Sequence, residues 1–312
     1  MKKQKIIVVV GPTASGKTAL AIKIAKAVKG EIISADSMQI YKGMDIATAK
    51  PTKEERAEAV HHLIDFLPQD KSFSVADYVK LARDCITDIS SRGRIPVIAG
   101  GTGLYIDTLI DNINLPNEKG DPDYREHLAD IAKEKGNGAV LEMLREIDPE
   151  QAEKLHENNL NRIIRSLEIY KTTGITMSEH IKNSRLEESP YDPIYFGINY
   201  DREALYERIN KRVDIMLNDG LIDETVEFYK NYSSRTAASA IGYKELKPYL
   251  DGVISLDEAV ENLKRATRNY AKRQITWFKR NSRIIWLDVT DNSDTEDLAE
   301  LAICKSKEFL KD

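Results

Sequence analysis

The sequence predicts an α/β protein: a parallel sheet with helices on both faces, carrying an inserted all-helical domain. Three observations predict it. Short β-branched apolar runs alternate with helical segments over the first hundred residues. From about Asp121 to Ile181 only helical periodicity follows, rich in charge and without a strand candidate. A strand-like run then returns at Ile194–Tyr200.

Each element has its own reason. Lys5–Val10 is a continuous β-branched run, which suits a strand buried on both faces. Gly11–Thr18 is a glycine-rich turn, and Ala19–Val28 has helical character. Glu31–Ala35 reads as a second strand, ending at Asp36. Val75–Ser91 is an amphipathic helix stopped by Gly93. Ile95–Ala99 is a third buried strand, followed by Gly100-Gly101-Thr102-Gly103. Pro116, Gly120 and Pro122 punctuate the start of the helical stretch; Ser189-Pro190 and Asp192-Pro193 punctuate its end. These signals and domain-size priors give a core of 1–118 and 191–312 with an insertion at 119–190. Beyond Tyr200 the chain is helical apart from Ile284–Leu287, the candidate last strand.

Composition narrows the function. The 312 residues are 41% hydrophobic and 31% charged, which excludes intrinsic disorder and fibrous repeats. The longest apolar run, Ile6–Val10, is too short for a membrane span or a signal-peptide core, so a cytoplasmic protein is expected. Cys85 and Cys304 stand alone, supporting neither a zinc site nor a disulfide framework. His61 and His62 have no neighbouring metal ligands in sequence and read as structural. The net charge is −5, yet no Asp or Glu occurs between Asn262 and Leu287, where Lys264, Arg265, Arg268, Lys272, Arg273, Lys279, Arg280 and Arg283 cluster. One such segment lets an acidic protein bind a polyanion locally.

Gly11-Pro12-Thr13-Ala14-Ser15-Gly16-Lys17-Thr18 fits G-x-x-x-x-G-K-[ST] between a strand and a helix. Its backbone N–H groups and the following helix N-terminus suit phosphate, Lys17 adds a mobile cation, and Thr18 suits Mg²⁺. The core is therefore expected to be a three-layer, P-loop NTPase-like fold with an ATP-binding-like, nucleotide-binding motif. No hydrophobic strand ending in a second acid follows before the insertion, which counts against an ATPase. Asp36 ends a strand where parallel sheets open their ligand crevice. It serves there as a general base or Mg²⁺ contact, or caps the turn through Asp36-Ser37. Thr102 either caps the next helix or brings a hydroxyl to the reacting atoms.

Further blocks follow in order: Ser34–Tyr41 with Thr48–Pro51, Gly100–Tyr105, Arg208–Val213, Ile241–Glu245 and Ala271–Trp277. The ordered set closely resembles the tRNA isopentenyltransferase family, the bacterial tRNA dimethylallyltransferases, from about Ile6 to Asp288. The resemblance implies a Mg²⁺-dependent transfer of a dimethylallyl group from dimethylallyl diphosphate. The acceptor would be the exocyclic N6 amine of the adenosine at position 37, 3′ of the anticodon in tRNAs reading UNN codons. It implies that residues Gly11 to Thr18 hold the diphosphate, that Asp36 is the base, that Thr102 lies at the reacting end and that Arg212 stabilises the leaving group. It implies that Asp36, Ser37, Met38 and Gln39 border the target nucleotide. It further implies that Asn161, Arg162, Ile163, Ile164 and Arg165 of the insertion grip the anticodon stem-loop. No membrane is an expected partner, and the chain is expected to act as a monomer.

Arg265, Arg268, Lys272, Lys279 and Arg283 recur at helical spacing, giving one basic face suited to an RNA backbone, with Trp277 and Phe278 turned inward. Such faces are also ordinary solvated surface. Without the resemblance, Arg208 and Arg212 likewise read as a solvated pair four apart on a helix beginning near Asp201. A P-loop small-molecule kinase using ATP, an adenylate (AMP) dimethylallyltransferase and a non-catalytic RNA-binding module stay as alternatives.

Overall fold

The computed structural model describes residues 3–113, 121–184, 187–231, 235–290 and 295–311. Its strands are β1 (Gln4–Val10), β2 (Gly30–Ser34), β3 (His61–His62), β4 (Ile95–Gly100), β5 (Tyr191–Tyr200) and β6 (Ile284–Val289). The helices of the first half are α1 (Lys17–Val28), α2 (Lys53–Glu58), α3 (Val75–Ser91), α4 (Gly103–Ile110), α5 (Pro122–Lys135), α6 (Asn137–Ile147), α7 (Pro149–Lys154), α8 (Leu160–Thr173) and α9 (Met177–Ser184). Those of the second half are α10 (Arg202–Asn218), α11 (Leu221–Asn231), α12 (Arg235–Ala238), α13 (Tyr243–Leu250), α14 (Leu256–Phe278) and α15 (Thr295–Lys311). Two units emerge: Met1–Phe73 with Asp77–Ile106 and Pro190–Asp312, and Ser74–Ala76 with Asp107–Ser189. The expected boundary at 118/119, with Pro116 and Gly120, lies outside the described residues.

In the first unit all six strands are parallel, in the order β3-β2-β4-β1-β5-β6. Ile6–Val10 are fully buried, as a central parallel strand requires. On one face Ile7 and Val9 join Leu20, Ile24, Ala299 and Ala302 in a core. A second core gathers Ile40, Tyr41 and Met44 with Val213, Phe228, Tyr243 and Leu263. Three loops thus leave the carboxyl ends of adjacent strands β2, β4 and β1. Backbone bonds tie two of them together, Ala35 N–H to Ala99 O at 2.8 Å and Thr102 N–H to Ala35 O at 3.1 Å.

Two elements differ from expectation. β5 begins at Tyr191 and runs through Pro193, which the sequence reads as punctuation. β6 pairs with β5 only from Tyr195 onward, so Pro193 sits where one side of the strand is open. β3 is a two-residue strand too short for any periodicity to announce, and it makes Ile95–Gly100 the fourth strand. Its His62 lies 2.7 Å from the buried Glu31 carboxylate, a structural contact.

The second unit has its own core, with Leu128, Val140, Leu144, Ile163, Ile164 and Leu167 at its centre. Asp121 caps α5 with Pro122 in its first turn. Among the described residues no helix is long and apolar enough to cross a membrane.

Candidate active site

The loop Gly11–Thr18 turns out of β1 with Ala14 at φ 63° and Gly16 at φ 85°. Glycine meets that requirement at Gly16 without strain. α1 then begins with no side-chain cap and no acid in its first turn. Its free N–H groups and positive dipole end favour an anion. The Ser15 hydroxyl is buried in the loop with no hydrogen-bond partner among the described residues.

A cleft of about 700 Å³ opens beside this loop, lined by Lys17, Thr18, Asp36, Met38, Gln39, Glu55, Arg212, Tyr270, Arg273 and Gln274 among others. All of these belong to the first unit. Burial first, then Arg212, lowers the Lys17 ammonium from 10.5 to about 8, while Asp36 acts in the opposite direction. Burial lowers the Arg212 guanidinium as well, and Asp36 and Glu55 support its charge. Arg212 therefore turns from the solvated helix face to the cleft. Four residues earlier, Arg208 donates through Nε to Ala14 O at 3.0 Å and lies over the Tyr200 ring, bracing the phosphate loop. Asp201 caps this helix, as its predicted start requires.

Asp36 combines both of its sequence readings. Its Oδ1 accepts the N–H groups of Met38 at 2.9 Å and Gln39 at 3.3 Å, a turn cap. Its Oδ2 accepts no hydrogen bond from the described residues and is left for the cleft. The Thr102 hydroxyl, instead of capping α4, accepts Ser37 N–H at 3.1 Å and so sits on the turn made by Asp36. Tyr270 lines the same cleft; burial and the nearby Asp36 hold its phenol above the ordinary value. Gln39 lines the cleft, but its amide is engaged internally, donating to Thr48 O and Ala49 O and accepting from Ser34.

The expected RNA contacts divide. Asn161 and Arg162 are exposed on α8 and Arg165 is partly exposed. Ile163 and Ile164 are 0% and 4% exposed in the core of the second unit, so their side chains face away from any RNA. Helical periodicity separates the two sets: positions 163 and 164 fall on the inward stripe of the helix. Arg265 and Lys272 are exposed on α14. Arg268 donates to Asn210 at 2.7 Å and packs towards α10. The helix ends at Phe278, so Lys279 is its C-cap and Arg283 lies beyond it over the Tyr195 ring. The five-residue stripe is therefore interrupted. Phe278 is buried and Trp277 half-buried against Gly103, where a Cβ would lie 2.2 Å from the indole.

Sequence reasoning gave no role to several residues that build the cleft. Glu224 accepts Asp45 N–H and Ile46 N–H at 2.8 Å, Ala47 N–H at 3.0 Å and the Tyr243 hydroxyl at 2.9 Å. Buried Lys50 bonds Tyr41 O, Asp45 and Asp65, each at 2.6 Å. Together they fix the 45–50 wall. The blocks Thr48–Pro51 and Ile241–Glu245 signalled that wall; nothing local signalled Glu224.

Fold and site together define a P-loop α/β transferase core: an anion cradle with Lys17, Arg212 and Asp36 in one cleft, and a separate helical unit inserted. The profile of the family described as IPP transferase matches residues 39–281, and that of isopentenyl transferase matches 4–66. The tRNA dimethylallyltransferase of Bacillus velezensis is 49% identical over 296 residues, covering 95% of this chain and 94% of that one. The one from Bacillus subtilis is 48% identical over 295 residues, covering 94% of each. Among solved structures, a tRNA isopentenylpyrophosphate transferase from Bacillus halodurans is 42% identical with a TM-score of 0.72, covering 99% of this chain and 100% of that one. A eukaryotic dimethylallyltransferase acting on tRNA is 31% identical with a TM-score of 0.83, covering 99% of this chain and 80% of that one. The chain belongs to the IPP transferase family.

Proposed function

We propose that the protein transfers a dimethylallyl group from dimethylallyl diphosphate to N6 of adenosine 37 in tRNAs reading UNN codons. The observation that carries this reading is the gathering, in one cleft, of Lys17, Arg212 and the free carboxylate oxygen of Asp36. The names of the bacterial relatives and of the eukaryotic counterpart support tRNA as the acceptor.

An adenine amine is a poor nucleophile because its lone pair is delocalised into the ring. As N6 bonds to the allylic carbon and the carbon–oxygen bond to diphosphate breaks, Asp36 takes the N6 proton through Oδ2. The leaving diphosphate gathers charge against the loop N–H groups, Lys17 and Arg212. Thr102, fixed to the Asp36 turn, orients the acceptor end. The target base leaves its stack to reach this depth. Among the described residues no cluster of three acidic, His or Cys side chains could cage a metal. The Thr18 hydroxyl in the cleft nevertheless suits Mg²⁺, which keeps several waters and binds mainly through its phosphate ligand. When bound, Mg²⁺ would neutralise part of the diphosphate charge.

The test incubates purified protein and Mg²⁺ with unmodified tRNA and either labelled dimethylallyl diphosphate or labelled ATP. Label enters tRNA from the prenyl donor and is lost when adenosine 37 is replaced by guanosine. Phosphoryl transfer from ATP to a small acceptor, with no label in tRNA, would replace this reading by that of a kinase. Transfer to AMP but not to tRNA would replace it by an adenylate prenyltransferase.

A further inference from the structure

The amide of Gln274 joins two loops of the cleft that are far apart in sequence. Its Oε1 accepts the N–H of Thr13, in the phosphate loop, at 2.8 Å. Its Nε2 donates to the carbonyl of Gly101, beside Thr102, at 3.0 Å. The side chain is 4% exposed, so neither bond is readily exchanged for water. Gly101 is shaped to it, since a Cβ there would lie 2.1 Å from Nε2. The two loop groups are one donor and one acceptor, which fixes the orientation of the amide. A carboxylate lacks the donor, a lysine or arginine lacks the acceptor, and a hydrocarbon lacks both.

We infer that Gln274 is a positioning residue that holds the diphosphate loop in register with Thr102, and so the leaving end of the prenyl donor in register with the acceptor end. The inference rests on the reaction proposed above for the same cleft. Binding the diphosphate organises Thr13 N–H, and the amide conveys that position to the 101–102 turn. The turn in turn carries Thr102 and, through the Ser37 bond, the Asp36 loop. Small misplacements between reacting groups reduce rates by large factors, so the effect should fall on kcat more than on tRNA affinity.

Gln274→Glu and Gln274→Met separate this role from simple core filling. In Q274E the ionised carboxylate faces the Gly101 carbonyl, whereas the protonated acid restores one donor and one acceptor. Its kcat at pH 8 should fall about 10- to 100-fold and recover towards wild type as pH drops to 6, with KM for tRNA within about twofold. Affinity for inorganic diphosphate, measured by calorimetry without prenyl donor or tRNA, should show the same recovery relative to wild type. That arm reports on the loop even if the prenyl-transfer reading fails. Q274M, neutral and similar in volume, should bind diphosphate about tenfold more weakly at every pH. A pH profile of Q274E parallel to wild type, or wild-type kcat and diphosphate affinity in Q274M, would overturn the inference. If Q274E does not fold, Q274M alone decides.

Discussion

Arg212 on α10 and Lys17 at the start of α1 bring two cations to bear on one cleft. Burial, with Arg212 second, sets the Lys17 ammonium near pH 8. The charged form binds the anion, so diphosphate affinity taken relative to Lys17→Arg at each pH, which cancels the ionisation of diphosphate itself, should be flat below about pH 7 and decline above 8. The limiting slope is about tenfold per pH unit, until the pKa of the bound state is reached. Titration calorimetry with inorganic diphosphate between pH 6.5 and 9.5 measures it. Lys17→Arg keeps its charge throughout this range, which makes it the reference. A ratio that stays flat to pH 9.5 would assign any decline in the wild type to another group.

Asp36 holds a turn with one oxygen and faces the cleft with the other. Asp36→Asn keeps the acceptor for Met38 and Gln39 while removing the base. Turnover should fall about 10²- to 10⁴-fold with little change in thermal stability or tRNA affinity. Asp36→Ala should lose turnover and, in addition, about 1 kcal/mol of stability as the turn cap disappears. Single-turnover kinetics with a thermal melt distinguishes the two. An Asn variant that keeps a tenth of wild-type turnover would exclude Asp36 as the base.

The sequence carried much of this arrangement because the relevant signals were local. Val75–Ser91 occupies the bounds its periodicity and Gly93 set. The phosphate loop and Asp36 follow strands that their β-branched runs made plain. What escaped was non-local. Gln274 meets Thr13 across 261 positions, and Glu224 reaches Asp45 across 179. No periodicity encodes such a meeting. Ile163 and Ile164 show the other limit: the contiguous block 161–165 lies on a helix, whose 3.6-residue period turns Asn161 and Arg162 outward and Ile163 and Ile164 into the core.

Glu31 offers a stability test near the amino end of β2, the end opposite Asp36. Its carboxylate, 2% exposed, accepts a bidentate pair from Arg92, and that bond holds it at about pH 2 against the opposing cost of burial. A carboxyl depressed in the folded state stabilises fully above its unfolded value of 4.5 and loses that contribution as pH falls towards 2. Arg92 and Arg94 are 40% and 48% exposed, so solvent screening limits the gain. Glu31→Gln should cost about 1–2 kcal/mol at pH 7, a gap that narrows below pH 4.5 and closes only as pH falls to about 2. Urea unfolding at pH 7, 4 and 2.5 reads the trend. A penalty independent of pH would assign the effect to shape rather than charge.

The basic face of α14 calls for a more selective mutagenesis than its sequence spacing implies. Arg265 and Lys272 are exposed, whereas Arg268 is bonded to Asn210 and holds α14 to α10. If α14 follows an RNA backbone, Arg265→Ala and Lys272→Ala should each weaken tRNA binding. Each should also reduce the log–log salt slope by about 0.7–0.9, with thermal stability unchanged. Arg268→Ala should weaken binding and lower stability together, because it also breaks a contact between helices. Binding isotherms at four salt concentrations, paired with melts of the same preparations, separate the two classes. Unchanged slopes for Arg265 and Lys272 would return this face to ordinary solvated surface and leave Asn161, Arg162 and Arg165 as the remaining candidates for RNA contact.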